Sequence, residues 1–352
     1  IYKKFLNYFS IFTIVLGTTF GSINSAYAAD GETLTIADDA TATQLTQDDG
    51  AGNAITDGDM DLVIDGVTIL DIAAGTADFT LDTITTADGA ADNVTGGIAT
   101  LQMNLGGITL TNELTISNNA ADPLTITIDE SSTLVASGLA TGSAADTLKF
   151  VIESGSTLQT GGNGTYSANI DGAGTLKIAG ATATFDEVVG GTTQLGILDI
   201  NNTAVFSSTV SAAAVDVVTG KVATFSDDVT STTITVNGTG NAKFVGDVTA
   251  TDINLTGGGV VTLNNIAAKT VTANITEATA GTTALVVADT ADLAHAVVTV
   301  SGDVTVDTIT VGATAKAGLV KFTGATAGAG AVVGGDAAGG EEDSQIEIAS
   351  NT

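Results

Sequence analysis

Apolar and polar residues alternate in short runs along most of this chain, and the runs recur at a nearly constant distance. The clearest markers are four phenylalanines at nearly equal intervals, namely Phe185, Phe206, Phe225 and Phe244. Each of the last three is followed by a valine and then by an apolar pair separated by one polar residue, such as Val215 and Val217. Because this alternation has the period of a strand, the pattern predicts short β-strands that repeat about every 19 residues.

This repeat is typical of one coil of a parallel β-helix. The sequence is rich in Thr, Val, Ile and Gly, has few of the residues that favour helices, and contains one proline, Pro123. A single coil cannot bury its apolar side alone, but stacked coils bury a continuous core. We therefore predict an all-β fold, a parallel β-helix (β-solenoid) with about 19–21 residues per coil, in which the phenylalanines stack as an internal ladder.

The regularity of the repeat divides the chain. Residues 136–325 carry regular repeats, and residues 29–135 have the same composition with looser phasing. We predict an irregular N-terminal part of the same solenoid at 29–135, with a small sandwich-like domain as the alternative. Residues 326–352 are rich in Gly and Ala and are predicted as a linker or a variable coil. Steps of one repeat length place three later residues at the positions of Val248, Ile253 and Leu255: Val304, Ile309 and Val311.

The N-terminal segment, 1–28, has the pattern of an export signal. Lys3 and Lys4 precede an apolar run at 11–20, and the small-x-small sequence Ala26-Tyr27-Ala28 follows. An uncleaved membrane anchor is the alternative, but the apolar run is interrupted by Thr and Gly and is shorter than the ~20 residues that span a bilayer. We therefore predict a signal peptide over 1–28, cleaved after Ala28, and an exported protein.

Charge and composition remove several function classes. Cleavage would take away two of nine lysines and none of the 40 acidic residues, so seven lysines would remain and the net charge of the mature chain would be −33. The chain has no arginine, so it lacks the basic surface that nucleic acid requires. One histidine, His295, and no cysteine exclude a His/Cys metal cluster and a cysteine nucleophile. We predict no catalytic residues and no bound cofactor.

The repeated phrase resembles a known family. Phe244-Val-Gly-Asp-Val248-Thr and its near copy Val300-Ser-Gly-Asp-Val304-Thr, together with the signal peptide, are similar to the passenger domains of bacterial autotransporters. They are most similar to rickettsial-type outer-membrane surface antigens and related alphaproteobacterial β-helical adhesins. The resemblance covers roughly residues 165–325 by motif. It implies a right-handed parallel β-helix displayed outside the cell, used for adhesion or as a surface coat.

The resemblance also sets expectations for attachment and partners. The family adds a C-terminal membrane barrel that this sequence does not contain, so we expect a truncated chain that reaches the membrane only through the missing anchor. We expect an exported structural or adhesion protein at the cell surface or outer membrane, or in the extracellular space, whose partner is a host or environmental surface. The alternative is a surface-layer or extracellular-matrix lattice subunit that contacts neighbouring copies. A polysaccharide-acting β-helix enzyme is a further alternative, disfavoured because no Arg or Trp is present to bind sugars.

One short acidic segment is a candidate calcium site. Asp57, Asp59 and Asp61 alternate along the chain, so in an extended loop their carboxylates would point to one side and could share Ca²⁺. The segment does not match an EF-hand, because Leu62 stands where the motif needs Gly and Thr68 where it needs Glu. A solvated acidic turn is the alternative interpretation.

Overall fold

The computed structural model is all-β, and no helix occurs among the residues that it describes. Those residues are 148–264, 267–279, 282–288, 296–312, 319–325, 327–334 and 345–349, and, before residue 148, twelve strands alone. The twelve are β1 (Asn24–Ala26), β2 (Thr33–Ile36), β3 (Thr43–Leu45), β4 (Asp61–Ile64), β5 (Val67–Ile72), β6 (Thr83–Thr86), β7 (Ala99–Asn104), β8 (Thr109–Leu110), β9 (Thr115–Ser117), β10 (Leu124–Asp129), β11 (Thr133–Ala136) and β12 (Ala140–Thr141).

From residue 148 onward, strands follow one another with short connections. They are β13 (Leu148–Ile152), β14 (Thr157–Thr160), β15 (Gly164–Tyr166), β16 (Asn169–Asp171), β17 (Thr175–Ile178), β18 (Ala183–Phe185), β19 (Leu195–Ile200), β20 (Ala204–Phe206), β21 (Val210–Val217), β22 (Val222–Phe225), β23 (Val229–Val236), β24 (Asn241–Phe244), β25 (Val248–Thr256), β26 (Val260–Asn264), β27 (Lys269–Thr279), β28 (Ala284–Ala288), β29 (Val297–Val300), β30 (Val304–Val311), β31 (Leu319–Phe322), β32 (Ala327–Gly334) and β33 (Gln345–Ile348). Their alternating buried and half-buried residues are typical of strands that carry a core on one side.

The strands form three parallel stacks, and successive coils add a layer to each. The first stack contains β1, β3, β5, β7, β10, β13 and β16 and continues through Val189 into β21. The second runs from β8 through β11, β14, β17 and β19 to β21, β23, β25 and β27. The third contains β2, β4, β6, β9 and β12 and resumes with β15, β18, β20, β22, β24, β26 and β28. The predicted parallel β-solenoid is therefore confirmed.

Paired residues in neighbouring coils give the coil length. In the third stack, the successive partners from Tyr166 to Leu263 are separated by intervals of 19 in four steps and of 21 in one. The coils that follow are longer, and from Ile170 to Ile348 the first stack makes about eight turns of about 22 residues. The predicted coil length therefore holds for the coils between 166 and 263.

An aromatic column fills the interior beneath the third stack. Neighbouring rings lie 5.1–5.2 Å apart between centroids and are nearly parallel, with interplanar angles of 8–18°. Phe185, Phe206, Phe225 and Phe244 are each at most 1% exposed, so the predicted internal ladder is confirmed. Tyr166 extends the column by one coil, and its hydroxyl donates a hydrogen bond to the Ala136 carbonyl oxygen at 3.2 Å.

The alignment of Val304 with Val248 is wrong, because the later strands begin and end at different points of the coil. In β21, β23, β25 and β27 one strand serves the first and second stacks, whereas β30 and β32 serve the second and third. Val304 therefore pairs with Ile275, in the second stack. The position of Val248 in the first stack passes through Val271 to Val300. Similar sequences thus lie in different stacks in the two coils.

The two less regular segments also contain parallel strands. Strands β2 to β11 lie within 29–135 or overlap its end, and they pair in the same three stacks. Strands β32 and β33 lie within 326–352 and pair with β30 and β31. Strand β1 lies inside the predicted signal peptide, so cleavage after Ala28 would remove it from the mature chain. The domain limits and the signal peptide stay predictions.

Candidate functional site

The outward side chains of the central coils form regular polar columns. Thr230 pairs with Ser211 in the coil before it and with Thr249 in the coil after it, and Thr249 pairs with Thr272. The three threonines are exposed. Because paired strands lie about 4.8 Å apart, this column presents hydroxyl groups at a short, constant interval. The stacking of Thr230 and Thr249 follows directly from the sequence repeat.

Polar side chains also connect neighbouring coils. Asp228 accepts a hydrogen bond from the backbone N–H of Asp247 at 2.8 Å, and Asp247 accepts one from the N–H of Thr270 at 2.8 Å. On another outward column Thr276 donates its hydroxyl to the Asn254 amide oxygen at 3.2 Å. Some of the acidic residues thus have a structural role, because their carboxylates accept N–H groups from the next coil at the turns.

Among the described residues, a surface hollow of about 300 Å³ lies at the first stack. It lies where the strand pattern is interrupted, because Val189 joins Ile170 and Val210 through isolated bridges. The residues around it are Lys149, Asn169, Asp171, Val188, Gly191 and Thr192. The turn beside it depends on Gly190, whose φ of +76° and close approach to the Ser211 carbonyl oxygen leave no room for a side chain.

An ion pair occupies one side of this hollow. The Lys149 ammonium lies 2.7 Å from Asp171, whose side chain is 9% exposed. The other carboxylate oxygen of Asp171 accepts N–H groups from Thr192 at 2.8 Å and Thr193 at 3.3 Å. Burial acts to raise the pKa of Asp171, but these hydrogen bonds and the charge of Lys149 outweigh burial and hold the pKa below its ordinary value. The carboxylate is therefore held in its charged form as a turn anchor.

A second perturbed carboxylate lies on an outward column of the second stack. Asp199 and Asp216 are paired in neighbouring coils. Burial, and then the charge of Asp199, raise the pKa of Asp216, and a hydrogen bond from the Asn237 amide acts in the opposite direction. The two acidic groups therefore repel each other in a position where the fold places them side by side.

The residues proposed from the sequence as a calcium site are only marginally covered by the structure. Asp57 and Asp59 lie outside the described residues, as does His295. Asp61 is the first residue of β4, and its backbone pairs with Thr33 and Thr83. In the part of the chain that the structure covers, no group of three or more His, Cys, Asp or Glu residues could hold a metal ion. The calcium hypothesis stays untested.

Comparison with known proteins adds no relative. No family model, no curated protein and no solved structure matches this chain. None of the described segments forms a helix of the length and apolar character that a membrane span needs.

Sequence reasoning missed the ion pair of Lys149 and Asp171. The two residues are far apart in the sequence and become neighbours only because Lys149 pairs with Asn169, two positions before Asp171. The sequence repeat is marked from Phe185 onward, so the coil that contains Lys149 has no predicted register. Buried and outward residues alternate in both β13 and β16. Aligning the two patterns, with Phe150 opposite Ile170, would have revealed the pair.

Proposed function

We propose that this chain is an exported protein displayed at the cell surface, with a structural or adhesive role of the autotransporter-passenger type. Its partner would be a host or environmental surface, and the proposal assigns it no catalytic activity. The export pattern at 1–28 and the phrase shared by 244–249 and 300–305 support this assignment. The resemblance to alphaproteobacterial β-helical adhesins supports it through the same residues.

The observation that carries the proposal is the division between interior and exterior in the stacked coils. The interior is filled by a continuous set of aliphatic and aromatic side chains from Ile126 to Phe322. The outward columns between 210 and 276 consist largely of Thr, Ser, Asn and Asp, which face solvent or bridge coils. Such a body offers extended outer faces for contact, as solenoid proteins commonly do.

The chemistry of the hollow beside Lys149 also supports a binding or structural role over catalysis. Asp171 is held by three donors, so its carboxylate serves the turn. A general acid or base needs a group that can reach a substrate proton and exchange it. Asp171 is placed to keep its charge and its partners.

Export and surface binding can be tested separately. For export, the full chain would be expressed in a Gram-negative host, and the N-terminus of the product would be sequenced; a product that starts at Ala29 supports export, and an intact N-terminus in the cytoplasm contradicts it. For adhesion, beads coated with residues 29–352 would be compared with beads coated with a variant carrying Thr230→Lys and Thr249→Lys. Binding of the first to cells or matrix, reduced in the second, supports adhesion by this face.

A lattice subunit is the alternative, since an acidic, cysteine-free chain with an export pattern suits a surface layer equally. Ordered arrays of purified residues 29–352 in electron micrographs would support the lattice function, whereas monodisperse particles at high concentration would contradict it.

A further inference from the structure

A lysine is buried at the point where the coils become longer. Lys269 is 5% exposed, although it is a charged residue. Its ammonium donates to the Val245 carbonyl oxygen and lies 3.4 Å from the Phe244 carbonyl oxygen. Lysine is rarely buried without a partner, since removal of its charge from water costs free energy. Its position in the stack explains why it is there.

The turn that leads into the first stack lengthens at this point. In the coil below, residues 245–247 connect Phe244 to Val248, whereas residues 264–270 make the same connection from Leu263 to Val271. The short turn has no room for an inward side chain, because a Cβ on Gly246 would lie 2.4 Å from the Asp227 backbone. Lys269 stands two positions before Val271, as Gly246 stands two positions before Val248, and it takes an interior position that the coil below lacks.

The next two described coils carry a buried aliphatic residue at the same position. Lys269 pairs with Val298, Val298 pairs with Val320, and both valines are buried. Lys269 is thus the first member of this column. Its aliphatic stem supports the wider coils above, and its ammonium reaches carbonyl oxygens of the narrower coil below.

We propose that Lys269 makes the contact between the narrow coils, which end at Leu263, and the wide coils that follow sensitive to pH. The charge on its ammonium determines how firmly the wide coils are held. The charged group that faces it is Asp247, in the turn below. This inference concerns the fold itself and does not depend on the proposed adhesive role.

The direction of the effect follows from the protonation equilibrium. Burial lowers the pKa of Lys269 from 10.5 to about 8, although the charge of Asp247 acts to raise it. Between these values the unfolded chain binds more protons than the folded chain, so stability rises as pH rises. The destabilisation is fully present below about pH 8 and disappears toward the unfolded pKa.

The test measures opening of the wide coils by amide hydrogen exchange in the full chain. Peptides from 296–312 and 319–325 would be followed, with peptides from 195–236 as an internal reference and with correction for chemical exchange rates. In the unsubstituted protein, the opening equilibrium of the wide coils should fall roughly tenfold between about pH 7 and about pH 9. Lys269→Met should lose this response, whereas Lys243→Met, which removes an exposed lysine of β24, should keep it.

A second variant protects the test against a failure to fold. Lys269→Arg keeps a positive donor that does not deprotonate in this range, so it should fold and show no pH response. An unchanged response in Lys269→Met or Lys269→Arg, or no response in the unsubstituted protein, would overturn the proposal.

Discussion

Leu263 lies directly on Phe244 in the third stack and ends the column of aromatic rings. At the neighbouring inward position the side chain becomes larger instead of smaller, because Val261 lies on Ala242. The next coil carries Leu285 and Val287 at the two positions, and both are fully buried. A coil with a large aromatic residue thus has a small neighbour, and a coil without one has two aliphatic residues, so the volume filled per coil is nearly conserved.

This exchange predicts that a coil can be converted from one arrangement to the other. Phe225→Ala should leave a cavity and cost about 3–5 kcal/mol of stability, since Phe225 is fully buried. Phe225→Leu alone should leave a smaller void, and Ala223→Val alone should overpack the coil by about 1–3 kcal/mol. The double variant Phe225→Leu with Ala223→Val should recover most of the loss, as measured by urea unfolding followed by circular dichroism.

The double-mutant cycle decides the outcome. A favourable coupling between positions 223 and 225 supports shared filling of one coil. Additive losses would show that the two positions are independent, and a cost below about 1 kcal/mol for Phe225→Ala would contradict the buried ladder.

Much of the fold could be predicted because the rare residues mark the repeat. Phenylalanine is scarce and four of eleven fall on one position, which gave the coil length and the interior column. The corner change after β27 could not be predicted, because the sequence Gly-Asp-Val-Thr is equally compatible with a turn into the first stack at Val248 and into the second at Val304. The local sequence determines that the chain turns, and the number of residues between turns determines which stack the next strand joins.

The carboxylate of Asp247 is expected to stabilise the contact between two coils. It accepts the N–H of Thr270, and its own N–H donates to Asp228. Asp247→Ala should lower stability by about 0.5–1.5 kcal/mol, the usual net contribution of one hydrogen bond. Asp247→Asn keeps an oxygen acceptor and should cost less. Chemical unfolding of both variants measures the difference, and an equal cost would indicate that charge and not hydrogen bonding is the relevant property.

The candidate calcium segment makes its own prediction. If Asp57, Asp59 and Asp61 share Ca²⁺, millimolar calcium should raise the melting temperature and EDTA should lower it, because a ligand that binds only the folded state stabilises it. Asp59→Asn should remove the response. If the segment is a solvated acidic turn, the melting temperature should be the same in calcium, in EDTA and in magnesium of equal ionic strength.

The interior lysine and the ion pair show where sequence reasoning stops. Lys269 stands two positions before Val271, so the alternation of a strand places both on one side, and this signal was present in the sequence. A step of 18 residues from Ile253, about one repeat, also leads to Val271. That sequence alignment conceals the signal, because the structure pairs Val271 with Val248. Contacts between residues in different coils require the register to be known, and one displaced coil is enough to hide them.

Acid should weaken the fold through Asp171. Its pKa in the folded protein is held below the ordinary value, so the folded state binds fewer protons than the unfolded state in mildly acidic solution. The stabilisation is therefore complete above the ordinary carboxyl pKa and is lost as pH falls through that value toward the lowered one. Lys149 is partly exposed, which reduces the expected contribution to about 1–2 kcal/mol.

Comparison of unfolding midpoints across this pH range tests the role of Asp171. Asp171→Asn should be less stable than the unsubstituted protein near neutral pH, and the two should converge in acid, because protonation removes the same charge that the substitution removes. Asp227→Asn, which changes an exposed turn carboxylate, is the matched control and should leave the acid response unchanged. A constant difference between Asp171→Asn and the unsubstituted protein at all pH values would show that the Lys149 pair does not depend on ionisation of the carboxylate.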